Sequence, residues 1–192
     1  NPTTNPETDE AVDEQSNRTV DFGFYRLQLG NQIFQDVNEN GAFDSGDAPL
    51  AGATVQLFAA NGTTEINVGP DGILGTADDA PGGGTSSGTG TPGSPTGNYL
   101  FRGLPAGSYI VKVLPTGSPS TVDTANSGDT SNPNNNIDDN DNGVGTGSST
   151  VSSNVVTLTP GSSGAASNNV INNATGTTYN PTVDFGYVTS FA

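Results

Sequence analysis

Apolar residues along this chain alternate with polar ones in short runs, the runs are separated by long polar stretches, and nowhere do apolar positions recur at a helical spacing. A period of two sends successive side chains to opposite faces, so each run predicts a half-buried β-strand. Residues 19–27 (TVDFGFYRL) set Val20, Phe22 and Phe24 on one face, and QLGNQIFQD follows as a second strand. Residues 53–58 (ATVQLF) alternate Val55 and Leu57, and residues 65–68 add a short strand. The clearest pair is NYLFR (98–102) and SYIVKVL (108–114), the latter with Tyr109, Val111 and Val113 directed inward. The link GLPAG between them reads as a hairpin or another tight interstrand connection. Residues 153–158 and 181–188 bring the total to about seven or eight strands, the pattern of an all-β sandwich.

The stretches between these runs are unusual in length. Residues 1–18 carry prolines and acids without apolar period and read as an extended or disordered leader, ahead of an N-terminal strand at 19–27 and a sandwich over 28–192. Residues 69–97 and 115–150 are punctuated by Gly, Pro, Asn and Asp and offer almost nothing to bury. Loops of that length are uncommon in a folded domain unless something orders them. Only 30% of the chain is hydrophobic and 27 of its 192 residues are glycine, so the core is thin. Ordering each backbone residue costs about 1–2 kcal/mol, and few side chains here offset it by burial.

Composition narrows what can supply the missing stability. Cysteine is absent, which excludes disulfides and thiolate metal sites, and histidine is absent, which removes the commonest general base and zinc ligand. Oxygen ligands remain. Twenty acidic residues against 4 basic ones give a net charge of −16, which repels nucleic acid and anionic membrane and favours cations. No run approaches the ~18 apolar residues of a membrane span, so membrane insertion is not expected. The lack of cysteine and the wealth of Thr and Asn fit an extracellular, cell-surface setting, and the lack of methionine marks the chain as a processed or excised piece of something longer.

The acids are placed rather than scattered. Asp36, Asn38, Asn40, Asp44 and Asp47 stand at positions 1, 3, 5, 9 and 12 of a loop with Gly41 at position 6 and the Ala42 carbonyl at position 7. That is the spacing by which oxygen ligands converge on Ca²⁺, the glycine permitting the sharp turn. The final position holds Asp where an EF-hand loop has Glu, and the neighbouring runs are strands, so the expectation is a calcium turn on a β scaffold rather than an EF-hand. A second candidate is Asp71 with Asp78 and Asp79, able to clasp a cation and order the 69–97 loop, against the alternative of two turns with solvated acids. A third is the run DTSNPNNNIDDNDN (129–142), in which Asp138, Asp139 and Asp141 repel one another unless a cation neutralises them, against the alternative of a solvated acidic run; Asp123, at the start of the loop, is a further candidate that no spacing supports.

TVDFGFY at 19–25 recurs as TVDFGY at 182–187. A self-match one whole domain apart is the mark of a tandem module. Either residues 1–25 end a preceding module, or the first strand is spare and adds to a neighbouring copy, an interface that repeats head to tail into a filament.

Taken together, LGNQIFQDVNENGAFDSGDAPLAGATVQLF, GNYLFRGLPAGSYIVKV, IDDNDNG and TVDFGF/Y resemble the B-type (SdrD B-like) domains of serine-aspartate repeat surface proteins. The resemblance implies a prealbumin-like or immunoglobulin-like sandwich of the collagen-adhesin B type, calcium-bound and used in tandem as a rigid stalk, and it implies no catalytic role. It places Asp36, Asn38, Asn40, Asp44 and Asp47 on the family's calcium loop and Asp138, Asp139 and Asp141 on its later acidic segment. The expected function is a structural module of a surface stalk or filament whose partners are copies of itself or neighbouring modules. The alternative is an adhesin module whose loops bind a host or neighbour-cell ligand. An enzyme would have to be a carboxylate-pair glycosidase, but the acids stand in calcium spacing and there is no Trp for a sugar platform.

Overall fold

The computed structural model describes residues 26–80, 85–86, 97–114, 121–122, 132–134, 137–144, 150–159, 170–172, 177–180 and 182–188. Among these the regular elements are all strands, arranged in two seven-stranded sheets. Of the expected strand at 19–27, residues 19–25 lie outside the described residues, as do the leader and Asp123, and Leu27 begins the strand that follows.

The first sheet is built around β1 (Leu27–Gln35). On one side β1 pairs antiparallel with β6 (Asn98–Leu104) and, near its end, with β2 (Ala48–Pro49). On the other side it pairs in parallel, first with β13 (Thr177–Asn180) and then with β14 (Phe185–Val188). β12 (Val170–Asn172) continues beyond β13, and β8 (Thr121–Val122) continues beyond β14. The second sheet centres on β3 (Thr54–Ala59) and β7 (Gly107–Leu114), antiparallel over six register pairs. β4 (Glu65–Ile66) and β5 (Thr85–Ser86) border β3. β10 (Val151–Ser153) and β11 (Val156–Leu158) border β7, with β9 (Gly143–Val144) beyond β10.

The alternation read from the sequence sets the two inner faces. Leu27, Leu29 and Ile33 of β1 with Tyr99 and Phe101 of β6 meet Val55 and Leu57 of β3 and Tyr109, Val111 and Val113 of β7 in one buried cluster. Tyr99 packs edge-on against Phe101 and tilted against Phe185, and its hydroxyl donates to the Val183 carbonyl at 2.7 Å. Gly30 lets β6 approach closely: a Cβ there would lie 2.2 Å from the Tyr99 carbonyl oxygen. The chain's single lysine, Lys112, points away from the core, donates to the Gly62 carbonyl and lies 4.1 Å above the Phe58 ring.

Three expectations need adjusting. Of the two readings of the GLPAG link, the hairpin gives way to the tight interstrand connection, because β6 and β7 belong to different sheets and the turn carries the chain across the sandwich. Residues 153–158 are two strands rather than one: the Asn134 side chain receives the Thr157 amide and donates to the Val155 carbonyl, taking bonds a continuous strand would give to a ladder. β14 is buried on both faces, since Phe185 and Tyr187 enter the core while Gly186 lies under the Phe34 ring, which in turn packs on Phe43 at 5.4 Å. Phe43 belongs to the loop that follows β1, so that loop folds back over the outside of the first sheet.

Candidate metal centre

The loop at 36–47 is closed by its own side chains. Asp36, 1% exposed, accepts from the Asn40 and Gly41 amides at 3.2 and 2.7 Å, and Gly41 takes a φ of 73°, as the turn required. Asn38 Oδ1 and Asn40 Oδ1 accept from the Asn40 and Ala42 amides. Asp47 clasps the two ends, accepting from the Val37 and Asp44 amides at 2.8 Å each. The amide groups of Asn38 and Asn40 each donate to one oxygen of Asp44, at 2.9 and 2.8 Å. An amide turned half over presents oxygen in place of nitrogen, so the same side chains can face either a carboxylate or a cation.

The later acidic segment is joined to this loop. Phe43 donates to the Asp139 carbonyl, Asp141 donates to the Gly41 carbonyl, and a bridge pairs Ala42 with Asn140. Two candidates that are a hundred residues apart in sequence therefore share one seam. Asn140 is buried in that seam, 4% exposed, and neither its side-chain oxygen nor its nitrogen has a hydrogen-bond partner. Asp138 Oδ1 accepts from the Asn31 amide and from the Asp139 backbone, while Asp141 Oδ1 accepts from Gly143. Burial, with the neighbouring Asp138 charge, raises the Asp139 carboxyl above its usual range.

The later acidic segment and β1 both rest on a residue that the sequence reading passed over. Asp184 is fully buried at the entry to β14, its carboxylate accepting from the Gln32 amide of β1 at 3.0 Å and the Asp139 amide at 3.1 Å. Its backbone exchanges bonds with Asn142. Burial pushes its carboxyl well above the ordinary range, and the charges of Asp138 and Asp139 push the same way. The available signal was an acid set inside an otherwise apolar strand, VDF, and present in both copies of the repeat.

The second candidate is gathered around a hydroxyl. Thr76 Oγ1 lies 2.6 Å from Asp78 Oδ1, 3.0 Å from the Ile73 carbonyl, 3.4 Å from Asp79 Oδ1 and 3.5 Å from Asp71 Oδ1. A hydroxyl has one proton, so most of these acceptors are left to other donors. The bond from Thr76 lowers the Asp78 carboxyl below its usual value. The segment is not slack: Arg102 donates to Gly72 and Leu74 donates to Arg102, tying it along β6.

Among the described residues no three His, Cys, Asp or Glu side chains close to the spacing of a finished metal site. The donors gathered at the seam are carboxylate, side-chain amide and carbonyl oxygens, the set that suits a hard cation and not a transition metal. A buried amide with neither end bonded fits such an ion better than it fits an apolar core. No helix among the described residues is long and apolar enough to cross a membrane.

Two strand layers joined across long acid-bearing loops define a β-sandwich. The sequence matches the SdrD B-like domain over residues 27–161, more than half of the chain, and the chain belongs to that family. Among solved structures it is similar to GBS52, the minor pilin of Streptococcus agalactiae, at 14% identity and a TM-score of 0.44. That similarity covers 88% of this chain and 47% of the pilin chain, so the chain spans about half of the pilin's length. No curated protein matches the sequence.

Proposed function

We propose that this chain is a calcium-stabilised structural module of an extracellular stalk or filament on a cell surface, joined head to tail with like modules and without catalytic activity. The observation that carries the reading is the seam, where two acidic loops distant in sequence meet over the closing strand and leave the Asn140 amide without partners. Asp36, Asn38, Asn40, Asp44 and the Ala42 carbonyl would hold one ion, with Asp47 closing the loop. Asp138, Asp139 and Asp141 would serve the seam, and Asp71, Asp78 and Asp79 the loop beside β6. A bound cation supplies positive charge among carboxylates that otherwise repel, and so fixes long loops on a thin core. The strand at 19–27 provides the link to a neighbouring module, since its sequence duplicates the closing strand of this one.

The membership in the SdrD B-like family and the absence of Cys and His support a structural rather than a catalytic role. Calorimetric melting of the full chain with calcium and with excess chelator tests the reading. A ligand that binds only the native state adds about 2.7 kcal/mol at a hundred-fold excess over its Kd, a shift of roughly 5–10 °C for one site in a domain of this size. Superimposable melts in the two conditions would count against calcium stabilisation.

A further inference from the structure

The slot occupied by the closing strand makes specific demands. Toward the core it buries Val183, Phe185 and Tyr187, and Thr182 is buried beside them. On the opposite face it needs a carboxylate at 184 to receive the Gln32 and Asp139 amides. At 186 it needs glycine, because a Cβ there would lie 2.9 Å from Phe34 Cζ and 3.4 Å from Asp141 Cβ. At 187 it needs an aromatic ring but not a hydroxyl, since the buried Tyr187 hydroxyl has no hydrogen-bond partner.

Residues 19–24 meet each demand. Thr19, Val20, Asp21, Phe22 and Gly23 repeat Thr182, Val183, Asp184, Phe185 and Gly186, and Phe24 replaces Tyr187, omitting only the group that the slot does not bond. A strand that simply paired at an open edge would have no use for a buried acid or for a glycine at those two places.

The copy cannot enter the slot of its own module. The occupant of the slot runs parallel to β1. Parallel neighbours need a crossover of about a dozen residues or more, whereas only Tyr25 and Arg26 separate Phe24 from Leu27, the first residue of β1. The slot is also not an edge, because β8 pairs with β14 on the side away from β1.

We propose that residues 19–24 are a second closing strand, fitted in a neighbouring module to a slot like that between β1 and β8 and lying there as residues 182–187 lie here, between two strands rather than at an edge. The proposal rests on the head-to-tail reading above and specifies its contact; it is independent of calcium. Each slot is filled once, by its own closing strand or by a neighbour's residues 19–24.

The test uses the full chain carrying Gly186→Ala, which weakens the resident strand, together with Gly23→Ala, which disables the chain's own copy. A fluorescent synthetic peptide of residues 18–26 is the probe, read by anisotropy. The peptide is expected to bind this variant about tenfold or more tightly than it binds the unaltered chain, the conversion following from the crowding at Gly186. A peptide carrying Gly23→Ala should lose that binding. Equal binding of the two peptides, or equal binding to altered and unaltered chains, overturns the proposal. If the double variant does not fold alone, the unaltered peptide must restore its melting transition, and failure to do so overturns the proposal equally. Tyr187→Phe, which makes residues 182–187 identical to 19–24, should leave the chain folded with an undiminished melting temperature; a lowered one refutes the equivalence of the two strands. A calcium-insensitive melt alongside specific peptide binding would reject the metal reading and keep this one.

Discussion

Replacing Tyr187 by phenylalanine should stabilise the protein, although it removes a polar atom from one of its largest buried side chains. Tyr187 is 1% exposed, its ring belongs to the core cluster, and its hydroxyl is sealed from solvent without a hydrogen-bond partner. Burying an unbonded hydroxyl costs about 1–3 kcal/mol by mutational measure. Deleting the oxygen leaves a gap of about 10–15 Å³, worth about 0.3 kcal/mol at ~24 cal/mol per Å³. The net gain is about 1–2 kcal/mol, or a rise in Tm of roughly 2–8 °C. Circular dichroism melts at pH 7 in calcium measure it directly. A second arm comes from ionisation: burial raises the Tyr187 phenol well above its ordinary value, and the Asp141 charge adds to the effect. A group whose pKa is raised on folding contributes stability that is complete below its unfolded value, near 10, and is lost as pH climbs toward the raised folded value. Between pH 10 and 11 the unaltered protein should therefore lose stability more steeply than Tyr187→Phe. A variant that melts lower at pH 7 and shows the same alkaline slope as the parent would refute the argument.

Asp184→Ala leaves the Gln32 and Asp139 amides without their acceptor, and at about 1–3 kcal/mol for each it should destabilise by about 2–6 kcal/mol in urea titrations. Gly30→Ala drives a Cβ onto the Tyr99 carbonyl at 2.2 Å, contact with rigid backbone, and should cost about 1–3 kcal/mol or more in the same assay. Asn140→Ala should reverse sign with the metal: neutral or stabilising in chelator, where it deletes a buried unbonded amide, and destabilising in calcium; the same sign in both conditions would remove Asn140 from the metal seam.

The strands that carry the core were legible because each keeps a strict two-residue period on a surface buried from one side: Val55 and Leu57, or Tyr109, Val111 and Val113, could face inward in only one register. Legibility failed where a strand is buried on both sides. In β14 and at its entry the residues that alternate with the core positions, Asp184 and Gly186, are as specific as Phe185 and Tyr187, yet they read only as polar punctuation in a strand. The spacing of Asp36, Asn38, Asn40, Asp44 and Asp47 foretold a closed loop turning on Gly41, because its geometry is local. The seam between that loop and residues 138–142 was invisible, since it is made of backbone bonds such as Phe43 to Asp139, for which any residue types would serve. The same holds for the shortest strands: β2, β5 and β9 contribute two residues each and no period can be read from two positions.

The parallel pairing of β1 with β14 bears on how the module would respond to tension. Because the two strands run in the same direction, the leading end of β1 at Leu27 and the trailing end of β14 at Val188 lie at opposite ends of the shared ladder. A pull applied at those two points slides one strand past the other, so the hydrogen bonds from Ile33 to Gln35 must rupture together instead of unzipping one at a time. Mechanical resistance is then concentrated in β1 and β14, and the remainder of the sandwich is shielded until they part.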